Sequence, residues 1–186
     1  MCLSAGTATA QLAGNLVGMH FVERHGRRPL TLWSLGGVCG ALALLGVAFH
    51  PGTQSTELAF IAMVAYLFVF GIGLAPMPWT VNAEIYPLHT RSTCMAVATG
   101  VNWISNFVVS LTFLDLATAL STDRGDAEHH PDGVFWLYAG VGLLCGGWLY
   151  GNMPETKGVS LEHMGKLFSR GSQRDEYQRI SGQSSR

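Results

Sequence analysis

Five stretches of this chain contain no Lys, Arg, Asp or Glu, and each is long enough for a helix that crosses a bilayer. They cover residues 1–22, 29–56, 58–83, 92–114 and 133–154. A spanning α-helix needs about 20 mainly apolar residues, and a chain of 186 residues is too short to enclose five such helices in a soluble core. The pattern predicts an all-α, multi-pass membrane protein with spans at about 3–22, 30–49, 58–80, 93–118 and 134–153.

The placement of the basic residues predicts which ends of these spans face the cytoplasm. Ten of the 11 Lys and Arg residues fall in the segments 23–29 and 84–92 and after residue 154, and only Arg124 falls on the other side. Cytoplasmic segments carry the excess of Lys and Arg, so we expect these three segments to be cytoplasmic. The tail, residues 159–186, is expected to form a short amphipathic helix and then a disordered segment.

The third span contains residues that interrupt a helix. Pro76 and Pro78 lack a backbone N–H, and each ring clashes with the carbonyl four residues earlier. Gly71 and Gly73 lie just upstream and are expected to ease unusual backbone angles. Such a break is tolerated in a membrane only where the freed groups face protein or a water-filled cavity. We interpret these four residues as a hinge or gate, with a static kink that shapes a pocket as the alternative.

Polar side chains recur at helical spacing in the first and fourth spans. Gln11 and Asn15 share one face of the first, and Asn102 and Asn106 share one face of the fourth, beside Trp103. Amides both donate and accept hydrogen bonds, and an indole offers a flat apolar face. This combination suits a hydroxylated ring. Hydrogen bonds between helices are the alternative interpretation for the amides.

Three motifs, in order along the chain, resemble those of the sugar porter branch of the major facilitator superfamily. They read Glu23-Arg24-His25-Gly26-Arg27-Arg28, then Pro76-Met77-Pro78-Trp79 with Glu84, Pro87 and Arg91, then Pro154-Glu155-Thr156-Lys157-Gly158. The sequence from Pro76 to Pro87, together with Asn102-Trp103-Ile104, is most similar to that of proton/myo-inositol cotransporters. The match covers helices eight to twelve of a twelve-helix fold, so we expect residues 1–158 to form an incomplete carboxy-terminal transmembrane domain.

The resemblance implies two groups of functional residues. Substrate contact is implied for Gln11, Asn15, Phe70, Trp79, Asn102, Trp103 and Asn106. A cytoplasmic ion-pair network is implied for Glu23, Arg24, Arg27, Arg28, Glu84 and Arg91. Gly71 stands where many hexose facilitators carry a glutamate, which argues against ordinary glucose specificity. For Trp79, a position in the interfacial aromatic belt is the alternative.

The resemblance also implies a function and a set of partners. The expected function is movement of a sugar or polyol, with myo-inositol favoured and protons as a possible co-substrate, by alternating access. The expected partners are the lipid bilayer and the amino-terminal half of the same transporter, in the plasma membrane. The alternative is a truncated, non-transporting protein that associates with a full-length porter.

No enzymatic activity, cofactor, metal or nucleic acid is expected. A membrane enzyme would need a nucleophile and base or a metal cluster within the spans, and the sequence contains none there. His129 and His130 lie near three carboxylates in the loop at 121–133, and we interpret that loop as solvated, with a metal site as the weaker alternative.

Overall fold

The computed structural model describes residues 2–86, 89–121 and 131–153, and the regular secondary structure in these ranges is entirely α-helical. The helices are α1 (Cys2–His25), α2 (Arg27–Phe49), α3 (Thr56–Ile72), α4 (Met77–Ile85), α5 (Arg91–Leu120) and α6 (Asp132–Asn152). The prediction of an all-α fold is confirmed. Pro87, the His129–His130 pair, the motif at Pro154 and the predicted tail helix lie outside the described residues.

Four segments of the described chain are long and apolar enough to cross a membrane. They are Arg27–Phe49, Thr56–Ile85, Arg91–Leu120 and Asp132–Asn152. The second of these joins α3 and α4 across the proline break. The first helix, α1, has the necessary length, 24 residues, but falls short by composition because small and polar residues such as Gln11 and Asn15 interrupt its apolar run. Four of the five predicted spans therefore correspond to helices that are long and apolar enough to cross a membrane.

α2 lies at the centre of the packed helices. It contacts α3 on one side and α6 on the other, and α1 packs against α3. The contact between α1 and α3 depends on Gly14 and Gly18, because a Cβ at either position would overlap the backbone of Phe68 or Ile72. Small residues four apart allow this close approach of helix backbones. α5 contacts only α6 and α4 among the described elements.

The third predicted span is interrupted, as its prolines predict. α3 ends at Ile72 and α4 begins at Met77, so the turn residues 73–76, called the break below, separate the two helices. Pro78 lies in the first turn of α4, where its missing N–H removes no helical bond. Gly73 follows α3 with φ −134° and ψ −57°, and the expectation that it eases unusual backbone angles stays a prediction. Gly73 also permits close packing against α2.

Candidate functional site

A cavity with polar groups in its lining lies where α3, the break, α4 and α5 meet. This cavity of about 600 Å³ is lined by Phe70, Leu74, Ala75, Pro78, Trp79, Asn82, Ala98, Val101, Asn102 and Asn106. Five of the predicted substrate or hinge residues are among them. The break shapes one wall, because four of its lining residues (positions 74, 75, 78 and 79) come from the break and the start of α4.

The cavity combines amide groups with aromatic surfaces. The side-chain amide of Asn106 donates to the backbone carbonyl of Asn102 at 3.0 Å. This bond uses one of the two amide hydrogens and leaves the other for a ligand. Trp79 also lines the cavity, from α4, and is 41% exposed. Phe70 stacks on Tyr66 with ring centroids 6.0 Å apart and planes 8° from parallel. The site therefore combines hydrogen-bonding groups with flat apolar rings.

Asn82 is a cavity residue that the sequence reasoning missed. It lines the cavity from α4, three residues after Trp79, and residues three apart share a face of a helix. The helical spacing from Trp79 was the signal that could have identified it. Asn82 supplies a third amide to the cavity wall.

Three predicted substrate residues lie outside this cavity. Trp103 is 68% exposed and belongs to a different face of α5 from Asn102 and Asn106. Gln11 and Asn15 lie where α1 meets α3, because the glycines of α1 bring their backbone against Gly71: a Cβ at residue 71 would be 2.7 Å from the Gln11 carbonyl oxygen. The structure thus does not unite the two polar stripes, and substrate contact by these three residues stays a prediction.

An ion pair connects the start of α2 to the end of α4. Arg27 Nη2 donates to Glu84 Oε1 at 2.8 Å, and both side chains are about one-fifth to one-quarter exposed. Arg28 donates to the Tyr150 carbonyl and lies 5.4 Å from the centre of the Tyr150 ring, so it joins α2 to α6. These contacts gather the ends of α2, α4 and α6 on one side of the molecule.

The other residues of the predicted ion-pair network have different surroundings. Arg91 Nε and Nη2 donate to the Tyr86 carbonyl at 3.4 and 3.3 Å, so Arg91 ties the start of α5 to the end of α4. Glu23 and Arg24 are exposed at the end of α1. Within the described ranges, no group of three or more His, Cys, Asp and Glu residues is arranged to hold a metal ion.

The chain matches a known protein family over most of its length. The model of the family described as "Sugar (and other) transporter" matches residues 1–168. The chain belongs to this family. It is 49% identical to the human proton myo-inositol cotransporter over 113 residues, 59% of this chain and 16% of that protein. It is 34% identical to polyol transporter 5 of Arabidopsis thaliana over 161 residues, 83% of this chain and 28% of that protein.

Solved structures of one transporter share the fold. The proton:xylose symporter XylE bound to 6-bromo-6-deoxy-D-glucose superposes with a TM-score of 0.79 and 25% identity, over 89% of this chain and 34% of that one. An inward-open structure of XylE from E. coli gives a TM-score of 0.73 at 26% identity, over 87% and 34% of the two chains. The chain therefore has part of a major facilitator fold, and the predicted sugar porter membership is confirmed.

Proposed function

We propose that these helices form part of a secondary transporter that moves a sugar or polyol across the plasma membrane. The chain spans 16% of the human cotransporter and about a third of XylE, so the activity is assigned to a longer assembly that contains these helices. The observation that carries the proposal is the cavity that Asn82, Asn102, Asn106 and Trp79 line together. On this proposal the tail after residue 158 is cytoplasmic.

The chemistry of the cavity favours a ring with many hydroxyl groups. Each amide can donate and accept, so three of them serve hydroxyls whatever their orientation. The C–H face of a saturated ring packs on an indole such as Trp79. Relatives named as a proton myo-inositol cotransporter and a polyol transporter are among the matches, and we therefore favour myo-inositol with proton coupling.

Gly71 supports the preference for a polyol over glucose. A side chain at this position has no room, because its Cβ would lie 2.7 Å from the Gln11 carbonyl oxygen and 3.1 Å from the Asn15 backbone nitrogen. The glutamate that many hexose facilitators carry here would therefore force α1 away from α3. Gly71 itself faces α1 and does not line the cavity, so on this proposal the cavity recognises its substrate through the neutral amides.

A chimera provides the test of the proposed function. In it, this chain replaces the matching segment of the human proton myo-inositol cotransporter. Uptake of labelled myo-inositol is measured in cells at acidic and neutral external pH, with unlabelled glucose as competitor. The expected result is uptake that rises at acidic pH and resists excess glucose, and the same chimera with Trp79→Ala is the matched control for the cavity.

The alternative of a non-transporting partner predicts different results. The 186-residue chain co-expressed with the intact human cotransporter would then co-purify with it and change its uptake, while the chimera would not transport. Absence of myo-inositol uptake by a chimera that reaches the cell surface contradicts the proposed function.

A further inference from the structure

The break displaces a backbone amide inside a predicted membrane span. In an unbroken helix the Leu74 N–H would donate to the Phe70 carbonyl. Here the Ala75 N–H donates to that carbonyl, at 2.9 Å. Because the hydrocarbon region offers no water to a displaced amide, the Leu74 N–H needs an acceptor from a neighbouring helix.

Ser34 of α2 supplies this acceptor. Its Oγ accepts a hydrogen bond from the Leu74 N–H at 3.0 Å and donates to the Val69 carbonyl at 2.7 Å. A hydroxyl can do both at once, so one side chain joins the last turn of α3 to the break. Ser34 is 1% exposed, which leaves no solvent to compete for these two bonds.

Gly73 allows α2 to come close enough for this contact. A Cβ at residue 73 would lie 2.6 Å from the Ser34 Cβ and 2.7 Å from the Leu30 carbonyl oxygen. Glycine at position 73 therefore leaves room for Ser34 to approach the break.

We propose that Ser34 is a positioning residue for transport, and this inference rests on the proposed function. Its two hydrogen bonds, to Leu74 and Val69, fix the geometry of the break and so set where Leu74, Ala75 and the following Trp79 lie in the cavity wall. Ser34 itself does not line the cavity. It therefore acts on the substrate only through the break. A bend at the break has to break the hydrogen bonds of Ser34 to Leu74 and Val69.

Amide hydrogen exchange tests the bonds directly. The full 186-residue chain is placed in lipid nanodiscs, and exchange is measured with Ser34→Ala and with Ser105→Ala. Ser105 is the matched control, because its hydroxyl is exposed and donates only to the Val101 carbonyl of its own helix. Ser34→Ala should accelerate exchange of the Leu74 amide by roughly tenfold or more, since a buried donor loses its partner. Unchanged exchange at Leu74 overturns the inference.

Transport kinetics then separate positioning from simple structural support. In the chimera, Ser34→Ala should raise KM for myo-inositol by roughly three- to tenfold, because Leu74, Ala75 and Trp79 are no longer held in the cavity wall. The maximal uptake rate should not fall, because the bend no longer has to break the two bonds of Ser34. The KM of Ser34→Cys should lie between that of the unsubstituted chimera and that of Ser34→Ala, since a thiol is a weak donor and acceptor. An unchanged KM, or a lower maximal rate with KM unchanged, overturns the positioning role. If the unsubstituted chimera does not transport, the proposed function fails, and the exchange measurement still decides whether Ser34 holds the break.

Discussion

α2 and α5 are both long, apolar helices, and they differ sharply in how they are packed. Nine of the 23 residues of α2 are buried against its neighbours, whereas Ala117 is the one buried residue among the 30 of α5. Yet α5 carries Asn102 and Asn106, two of the three cavity amides. Of these two helices, α2 therefore supplies packing and α5 supplies cavity amides.

The proline break lies between these two regions and belongs to both. Ser34 of α2 binds the backbone of the break at Leu74, and Leu74 and Ala75 also line the cavity that α5 completes. Movement of the break would therefore be transmitted from the tightly packed helices to the cavity wall. Each prediction below tests one side of this division.

Substitution of a closely packed glycine should lower the stability of the protein far more than substitution of an unpacked glycine, and this is the largest effect that we expect. Gly14→Ala should lower the free energy of unfolding by about 1–3 kcal/mol, because the added Cβ overlaps the Phe68 carbonyl between α1 and α3. Gly100→Ala on α5 is the matched control, since a Cβ there meets nothing within 4 Å. Thermal unfolding of both variants in the same detergent measures the difference. Equal destabilisation would remove the distinction between packed and unpacked helices.

Removal of a cavity amide should weaken substrate binding and leave stability unchanged. In the chimera, Asn102→Ala should reduce myo-inositol affinity by about 1–3 kcal/mol, the cost of leaving ligand hydroxyls unpaired. Asn82→Ala should act in the same direction. Asn152→Ala is the control, because Asn152 is exposed on α6 and donates to the Trp148 carbonyl of its own helix. Equilibrium binding of labelled myo-inositol provides the measurement, and an equal effect of all three substitutions would contradict the assigned cavity.

The ion pair at the ends of α2 and α4 should have the smallest energetic effect. A partly exposed pair such as Arg27–Glu84 contributes at most about 1 kcal/mol. Glu84→Arg should still shift the chimera toward the inward-open state, because it replaces attraction by repulsion, without abolishing substrate binding. Accessibility of single cysteines to a membrane-impermeant reagent measures the shift. Combining it with Arg27→Glu should restore the balance, and failure to restore it would argue against this pair.

Helix positions and the proline break were predictable because they depend on local chemistry. Charge-free runs predict helices whatever their neighbours, and four of the five have the composition of a membrane span. Pro76 removes a backbone donor in any fold. The all-α architecture and the interruption before Met77 follow from such features. The resemblance at Trp79 and Asn102 likewise selected residues that meet in one cavity.

Contacts between helices were less predictable, because they depend on how the helices rotate and approach. Gln11 and Asn15 share a helical face, yet the glycines of α1 bring that region against Gly71 and away from the cavity. Nothing local to Ser34 indicates that its hydroxyl binds Leu74, 40 residues further along the chain. Arg91 likewise binds the nearby Tyr86 carbonyl, a partner that a charge pattern does not reveal.

Restoring the helix across the break tests the central claim, that this segment is the moving element. The chimera is compared with and without the double substitution Pro76→Ala and Pro78→Ala, and both equilibrium binding and uptake rate of myo-inositol are measured. We predict nearly unchanged binding and uptake slowed by roughly tenfold or more, because a helix that continues through residues 73–76 would have backbone hydrogen bonds that the bend must break. Uptake at the unsubstituted rate would contradict it and would make the break a static feature of the cavity wall.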